Sequence, residues 1–350
     1  MLELRCVLPA RLLPSLLAAG WISLLAVHVA HADDRERISA LEENDSLYFN
    51  SDRHYTQGIR LSYLAPDLRR DSDWNEPFQF LGSFVPAFAP EGADNKISRR
   101  YAIFVGQSVF TPKEIRRNPP DPLDRPYAGW LYAGMSLLQE NNARMIENLE
   151  LQLGVVGPAA FAHQVQNDYH QFIGADPAKG WDSQIGDEPG LVLSYERLWR
   201  LPMLSGGDIG MDVVPALGAT VGNILTYGQA GALLRVGNSL RADYGPVRIR
   251  PALSGTDYFA GDRAGNDFGY YFFAGVQGRA VGRNIFLDGN SFRRSPGVDK
   301  KRLVADLQAG FSLFWCAAAR LDFSVVRRSE EFEGQDGADT IGTASLAISW

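Results

Sequence analysis

Apolar and polar residues alternate along almost the whole chain after residue 40, and this pattern constrains the fold more than any other feature. Clear examples are Gly58-Ile59-Arg60-Leu61-Ser62-Tyr63-Leu64 and the C-terminal Ala344-Ser345-Leu346-Ala347-Ile348-Ser349-Trp350. A period of two is that of a β-strand with different surroundings on its two faces. Besides residues 46–49 (Ser-Leu-Tyr-Phe) and 58–64, such runs occupy residues 100–108, 128–139, 147–157, 190–200, 209–219, 229–238, 270–281, 302–315, 317–328 and 341–350. The sequence therefore predicts about 12 strands, with residues 247–255 as an optional further one.

The length of these runs indicates a membrane protein. Most are close to the roughly 9–11 residues of a tilted transmembrane strand, and no stretch after residue 32 has the roughly 18 apolar residues of a spanning helix. Without such helices, only a closed barrel satisfies every backbone polar group in lipid. A soluble sandwich also alternates, but aromatic residues in several strands and at the C-terminus (Trp350) favour a barrel. We expect an all-β fold: a transmembrane antiparallel β-barrel of about 12 strands.

The N-terminal segment is typical of a secretory signal peptide. Arg5 and Arg11 give a positive start, residues 12–29 are almost wholly apolar, and Ala30-His31-Ala32 is a small-x-small cleavage site. A retained membrane anchor is the alternative. We predict a signal peptide over residues 1–32 and an outer-membrane β-barrel over residues 33–350.

Charge and cysteine content narrow the class of protein further. The net charge of −7 argues against a nucleic-acid partner. Once Cys6 leaves with the signal peptide, Cys316 is alone, so an intrachain disulfide does not stabilise the exported chain. The oligomeric state stays open, with a monomer as the working expectation.

One long connection, residues 158–189, carries more polar side chains than a loop needs for packing alone. Gly157-Pro158 ends a strand, and residues 159–174 are compatible with a helix that carries Gln166 and His170. After signal cleavage only three of the five histidines remain, so few imidazoles are left for proton transfer near neutral pH. Long loops with their own helix are common places for function.

Further polar residues map to the same rim of the predicted barrel. If the N-terminus is periplasmic, connections 50–55, 109–127 and 158–189 all face outward. Asn44-Asp45, Thr56 and Arg116-Arg117 then lie at the same rim as His170. Considered one at a time, these residues have simpler explanations. Asn44-Asp45 can be a polar pair that faces the lumen, the two arginines can be ordinary charged residues of a loop, and His170 can be a solvent-exposed histidine. Their conjunction at one rim favours a functional site.

Six ordered motifs resemble those of the outer-membrane lipid A 3′-O-deacylase family and its wider, mostly uncharacterised relatives. The resemblance covers most of the chain after the signal segment. The motifs are Asn44-Asp45, residues 52–58 (Asp-Arg-His-Tyr-Thr-Gln-Gly), 106–112, 124–130 (Asp-Arg-Pro-Tyr-Ala-Gly-Trp), 157–175 and 180–184.

The resemblance implies a fold, an activity and a set of site residues. It implies a 12-stranded barrel in the bacterial outer membrane with an outward-facing site and calcium beside a catalytic histidine. His170 then matches the general base, while Asn44, Asp45, Thr56 and Gln166 match other active-site positions.

Two departures from the family pattern concern the substrate headgroup and the metal. Arg116-Arg117 stand where characterised members carry a Lys-Arg pair, which keeps the charge but changes the geometry of phosphate contacts. Asp176 falls where an acidic calcium ligand is expected, with Asp182, Asp187 and Glu188 as rival ligands in the same loop.

This reading predicts a carboxylic ester hydrolase that removes the 3′-linked acyl or acyloxyacyl chain of lipid A. His170 would activate water, and a carboxylate, for which Asp45 is the candidate, would orient its ring. Asn44 would donate to the oxyanion. Ser51 or Ser108 would instead serve a Ser-His route, but neither lies in a Gly-x-Ser-x-Gly elbow. The competing functions are an outer-membrane phospholipase and a non-catalytic pore or scaffold barrel.

Overall fold

A computed structural model describes residues 35–45, 53–85, 88, 96–204, 208–251, 255–264, 268–315 and 318–350. The predicted signal peptide, residues 1–32, lies outside these ranges, as do the first predicted run, residues 46–49, and Ser51. The strands are β1 Arg37–Asn44, β2 His54–Leu64, β3 Ile97–Thr111, β4 Ala128–Asn141, β5 Met145–Val156, β6 Glu188–Trp199, β7 Leu201–Leu204, β8 Gly210–Gly222, β9 Leu225–Gly237, β10 Phe268–Asn284, β11 Leu303–Trp315, β12 Ala319–Arg328 and β13 Asp339–Ser349.

Twelve of these strands form a closed antiparallel barrel. Consecutive long strands pair with each other, β1 pairs with β13, and β6 pairs with β8 across the short β7, which lies along β8 as an extra strand. The predicted 12-stranded barrel is therefore confirmed. Closure leaves no unpaired edge in the ring of long strands, which is what a sheet in lipid requires.

Side-chain alternation separates the lumen from the outer wall. On β1, Leu41 and Glu43 are buried inside the barrel, whereas Ile38 is 51% exposed on the outer face. On β3, Phe104 points inward and Val105, 52% exposed, points outward. None of the helices in the described residues is long and apolar enough to cross a membrane.

The lumen is filled by the connection between β9 and β10. Its described residues form no strand, so the optional strand at 247–255 was wrong. Instead Arg248 donates to Glu43 at 2.7 Å and Arg250 to Glu196 at 2.6 Å, while Asp257 accepts from Arg60 at 2.6 Å. These charges are buried together, so each cation has an anionic partner.

The helices lie in the connections between strands. They are α1 Glu76–Gly82, α2 Ala162–Ile173 and α3 Ile285–Asp288. The sequence indicated little regular structure over residues 67–98, yet α1 forms there and packs Phe78 onto Leu137 of the outer wall. The helix expected within residues 159–174 is confirmed as α2. At the opposite end of the barrel from α1, α3 stacks Phe286 on Phe110 at a ring-centre distance of 4.0 Å.

The barrel has two rims, and the predicted site residues collect at one of them. We call the rim where β1, β3 and β5 end and β2, β4 and β6 begin the upper rim. Because neighbouring strands are antiparallel, Asn44 at the end of β1, Thr56 near the start of β2 and α2 between β5 and β6 all belong to the upper rim.

Candidate active site at the upper rim

Helix α2 presents one buried face that carries the two polar residues predicted from the sequence. Ala162, Gln166 and His170 follow each other at intervals of four and are the buried residues of the helix. Residues four apart lie on the same side of an α-helix. The helix ends at Gly174, whose φ of 73° is a left-handed conformation that glycine adopts without a steric penalty.

The helix is mounted on the outside of the barrel wall. A Cβ on Gly129 of β4 would lie 2.5 Å from the Cβ of Ala162, so only glycine permits this close approach. Gln107, whose strand partners Ile59 and Leu131 are exposed on the outer face, donates to the carbonyl of Ala160 at 2.6 Å. Val109 packs with Tyr127, Trp181 and Ala162 in a small apolar cluster beneath the helix.

A hydrogen bond between one ring nitrogen of His170 and the backbone fixes the orientation of the ring. Its Nδ1 lies 2.6 Å from the main-chain carbonyl oxygen of Asp176, and the side chain is buried. A carbonyl can only accept, so Nδ1 carries the proton and Nε2 is the basic nitrogen. The sequence assigned the orienting role to the carboxylate of Asp45, whereas in the structure a backbone carbonyl fixes the ring.

The second polar residue of α2 is also oriented by a neighbour. The indole Nε1 of Trp181 donates to Oε1 of Gln166 at 2.9 Å. This contact fixes the amide so that its NH2 group faces away from the indole. Trp181 belongs to the short 3-10 helix Trp181–Ser183, which was part of the last motif recognised in the sequence.

The ends of β1 and β2 bring the other predicted residues together. Asn44 pairs with Gln57 across the two strands. Thr56 occupies an irregularity in the pairing with β3, between Tyr55 and Gln57, and its hydroxyl lies 2.7 Å from that of Thr111. Asp45 accepts from the backbone N–H of Arg53 at 2.5 Å. Asn44, Asp45 and Thr56 are all buried, which is unusual for polar side chains at a barrel rim.

The charge of a carboxylate on strand β1 reaches helix α2. Burial raises the pKa of the Tyr169 hydroxyl, and the negative charge of Glu42 on β1 raises it further. Tyr169 precedes His170, and Glu42 lies two residues before Asn44. The helix turn that carries the histidine is therefore within electrostatic range of the strand that carries the carboxamide.

The two arginines lie on the connection between β3 and β4, beside this site. Arg116 forms an ion pair with Asp176 at 2.6 Å and is 69% exposed, whereas Arg117 pairs with Asp121 at 2.5 Å and is 51% exposed. Exposed ion pairs contribute little to stability. Both guanidinium groups are therefore accessible to an anionic ligand, and Arg116 is linked through Asp176 to the loop that orients His170.

The predicted calcium ligand is compatible with a cation site only in part. The Asp176 carboxylate is 60% exposed and already pairs with Arg116. Across the described residues, no three His, Cys, Asp or Glu side chains cluster as a metal site. A calcium ion here would need Asp176 to leave Arg116 and would take most of its ligands from carbonyl, amide or water oxygens, which calcium accepts.

Two of the alternative calcium ligands, Asp187 and Glu188, make other contacts, and the alternative nucleophile Ser108 faces away from α2. Asp187 accepts from the amide of Ala159 at 2.7 Å, and Glu188 accepts from the amide of Ser291 at 2.7 Å. Asp182 lies in the 3-10 helix beside α2 and stays a prediction. Ser108 alternates with the outward-facing Gln107 and Val109, so it faces the lumen rather than α2.

Sequence reasoning missed a buried histidine cluster near the site. His54 Nδ1 lies 2.8 Å from a carboxylate oxygen of Asp339, and its Nε2 lies 3.6 Å from Asp124. Although burial alone would raise it, the pKa of Asp124 is lowered by the nearby His54 ring and by the backbone amides of Lys113 and Arg125, which donate to the carboxylate. The cluster ties three upper-rim connections together. Its carboxylate partners are 70 and 285 residues from His54, so no local motif signals it.

These features define a class: a membrane β-barrel with a histidine-bearing helix mounted on the outside of its wall at one rim. The sequence matches the family described as outer membrane protein LpxR over residues 16–350, and the chain belongs to this family. It is therefore an outer-membrane β-barrel.

A solved structure has the same fold. The chain is similar to LpxR from Salmonella typhimurium, with a TM-score of 0.70 and 19% identity over 89% of this chain and 99% of that chain. A weaker similarity, with a TM-score of 0.40 and 8% identity over 90% of this chain and 97% of that chain, links it to the β domain of the Bordetella autotransporter BrkA. A search of curated proteins finds no match.

Proposed function

We propose that this protein is an outer-membrane ester hydrolase that removes the 3′-linked acyl or acyloxyacyl chain of lipid A. The observation that carries the proposal is the geometry of His170. Its Nδ1 is fixed by the carbonyl of Asp176, and the residue is buried on the outer wall of the barrel, where acyl chains of membrane lipids lie. Membership of the LpxR family and the resemblance of six motifs to lipid A 3′-O-deacylases support the same activity.

In the proposed mechanism His170 acts as the general base. Nε2 removes a proton from a water molecule whose oxygen attacks the ester carbonyl carbon. The resulting oxyanion accepts a hydrogen bond from the Nδ2 amide of Asn44. When the tetrahedral intermediate collapses, the imidazolium returns the proton to the leaving alkoxide of the sugar. General-base catalysis of this kind contributes about 10²–10⁴ in rate, and one oxyanion donor about 10²–10³.

The other buried residues support this chemistry. The NH2 group of Gln166 and the hydroxyl of Thr56 border the same region and serve to hold the water or the ester oxygens. Asp45, whose carboxylate accepts from the Arg53 amide, fixes the turn after Asn44. These roles stay predictions from the resemblance and from burial.

The substrate class follows from charge and location. Arg116 and Arg117 present exposed guanidinium groups beside the site, and guanidinium forms paired hydrogen bonds with phosphate oxygens. Lipid A carries phosphates on its sugar headgroup and ester-linked chains below. We propose that the arginines bind the headgroup while the scissile ester reaches His170 from the outer leaflet. The upper rim is then the extracellular rim.

We also propose that cleavage depends on calcium. A bound calcium ion would polarise the ester carbonyl as a Lewis acid. Of the predicted ligands, Asp176 is the one whose backbone carbonyl contacts His170, at 2.6 Å from Nδ1. Calorimetric titration of calcium into the protein should detect a site that the Asp176→Asn variant lacks, and magnesium should not replace calcium because its octahedral shell is less adaptable.

The filled lumen argues against the competing pore function. The connection between β9 and β10 fills the barrel with paired charges, and α3 closes the upper end with Phe286. The experiment below distinguishes the proposed lipid A deacylase from a scaffold and from a phospholipase.

Purified protein in detergent micelles, supplied with lipid A or with phosphatidylethanolamine in ¹⁸O-labelled water, tests the proposal. We expect ¹⁸O in the fatty acid released from lipid A, no label in the sugar hydroxyl and little release from phosphatidylethanolamine. Ser108→Ala and Ser51→Ala should stay active. Preferential release from phosphatidylethanolamine would make the protein a phospholipase, and no release from either lipid would refute ester hydrolysis.

A further inference from the structure

Glu42 occupies a position on the barrel wall that is unfavourable for a charged residue. Its neighbours Leu41 and Glu43 point into the lumen, where Leu41 packs on Ile249 and Glu43 accepts from Arg248. Alternation along β1 therefore directs Glu42 to the outer face, which around it carries Ile59 and Leu61, 37% and 50% exposed. Charged side chains on the lipid face of a barrel reduce its stability. An apolar residue would serve the wall better, so the fold alone does not account for a carboxylate here.

The contacts of Glu42 connect it to the candidate active site. Glu42 shares the outer face with Asn44, two residues along β1, and lies diagonal to Gln57, which pairs with Asn44, so the side-chain amides of both can donate to its carboxylate. Its charge also acts on the hydroxyl of Tyr169, the residue before His170. Glu42 therefore adjoins the carboxamide of Asn44 and is within electrostatic range of the helix turn that carries the histidine.

A carboxylate in this position determines which way the Asn44 amide points. An ionised carboxylate only accepts hydrogen bonds, so Asn44 must turn its NH2 group, and not its oxygen, toward Glu42. The amide has two N–H groups, and once one is bound to Glu42 the direction of the other is set. Without this contact, the two orientations of a carboxamide, related by a 180° rotation, are close in energy and present opposite chemistry to a ligand.

We propose that Glu42 is a positioning residue that orients the carboxamide of Asn44 so that its NH2 group, rather than its oxygen, is directed to the developing oxyanion. The inference rests on the ester hydrolysis proposed above and names a residue outside the motifs that carry the resemblance. Glu42 itself touches neither water nor ester. It acts through Asn44, and its effect should appear in the chemical step.

A double-mutant cycle tests this role. The variants are Glu42→Ala, Asn44→Ala and the combination of both, compared by kcat and KM for release of fatty acid from lipid A in micelles. We expect Glu42→Ala to lower kcat about tenfold with KM unchanged, because orientation and not substrate affinity is lost. In the Asn44→Ala background the same change should have little further effect, since coupled residues are not additive.

Two further variants separate positioning from a structural effect. Glu42→Gln keeps the shape of the side chain but can donate as well as accept, so it no longer dictates the orientation of the Asn44 amide and should lower kcat part of the way toward Glu42→Ala. Arg327→Gln, at an exposed outer-face position of β12, should leave kcat unchanged. Folding of every variant is checked by the migration of unheated samples in detergent gels.

The outcomes distinguish this inference from the proposed function. If the wild-type protein is active and the Glu42→Ala variant keeps full kcat, Glu42 does not position Asn44. The same conclusion follows if Glu42→Ala lowers kcat by the same factor in the wild-type and in the Asn44→Ala background. If the folded wild-type protein releases no fatty acid, the proposed function fails and the role of Glu42 fails with it.

Discussion

At the scale of single residues, the site depends on how each polar group is oriented rather than on which groups are present. The sequence identified His170 and Gln166 as candidates, and the structure buries both on one face of α2. The sequence did not identify the groups that orient these two side chains. The partner of His170 is a backbone carbonyl, and because every residue has one, no sequence pattern marks it. The indole that orients Gln166 is 15 residues away, within a motif that was recognised but not assigned a role.

The first prediction concerns His170. The change His170→Gln removes the basic nitrogen but keeps a polar side chain of similar size. Because general-base catalysis contributes about 10²–10⁴, we expect kcat to fall by that factor with little change in KM. Steady-state kinetics on lipid A measure both constants. Unchanged kcat in a folded variant would remove His170 from the mechanism.

The second prediction concerns the two arginines. Replacing Arg116 and Arg117 with glutamine should raise KM for lipid A while stability changes by no more than about 0.5 kcal/mol, because both side chains are exposed. The matched control is Arg69→Gln, an arginine that is 83% exposed beyond the opposite rim. The rise in KM should vanish with dephosphorylated lipid A. An equal rise with both substrates would exclude phosphate binding by this pair.

At the scale of elements, most strands followed from the sequence, whereas of the connections only the helix α2 did. Alternation located eleven of the twelve long strands, because lipid on one side and a packed lumen on the other impose opposite polarity on successive residues; β1 begins at Arg37, before the run predicted for it. Helix α1 escaped notice because prolines dominate its segment. The segment that fills the lumen contains the alternating residues 247–250, which suggested a strand, and its partners are remote in sequence: Glu43, the partner of Arg248, lies 205 residues away.

The third prediction tests the mounting of α2 on the wall. Leucine at Gly129 would collide with Ala162 and should displace the helix, so we expect at least about a tenfold loss of kcat as the groups at the site are misaligned. Gly228→Leu is the control, since a Cβ there meets no atom within 4 Å. Both variants should insert as barrels. Equal activity in the two would show that α2 does not need this contact.

At the scale of the whole molecule, the barrel is a wall that supports a site on its outside, with a lumen occupied by protein. The sequence left a pore open as an alternative, because inward polar residues look the same whether water or protein faces them. The structure fills the lumen with buried pairs such as Arg250 and Glu196. A site on the outer wall gives a lipid substrate direct access from the membrane.

The fourth prediction follows from the filled lumen. Purified protein in planar bilayers should give no steady conductance steps. The double variant Arg248→Ser and Arg250→Ser removes two cations from the lumen segment and leaves buried carboxylates unpaired, so it should be less stable and conduct intermittently. Regular conductance steps from the wild-type protein would contradict a filled lumen and favour a channel.

The most direct test of the central claim is mass spectrometry of lipid A from Gram-negative cells that express this protein or its His170→Ala variant. We predict that lipid A from cells with the wild-type protein loses the mass of one acyl or acyloxyacyl group, and that lipid A from cells with the variant does not. Both proteins must be present as folded barrels in the outer membrane. Unchanged lipid A in cells with the inserted wild-type protein, or the same loss with both proteins, would contradict a deacylase that works through His170.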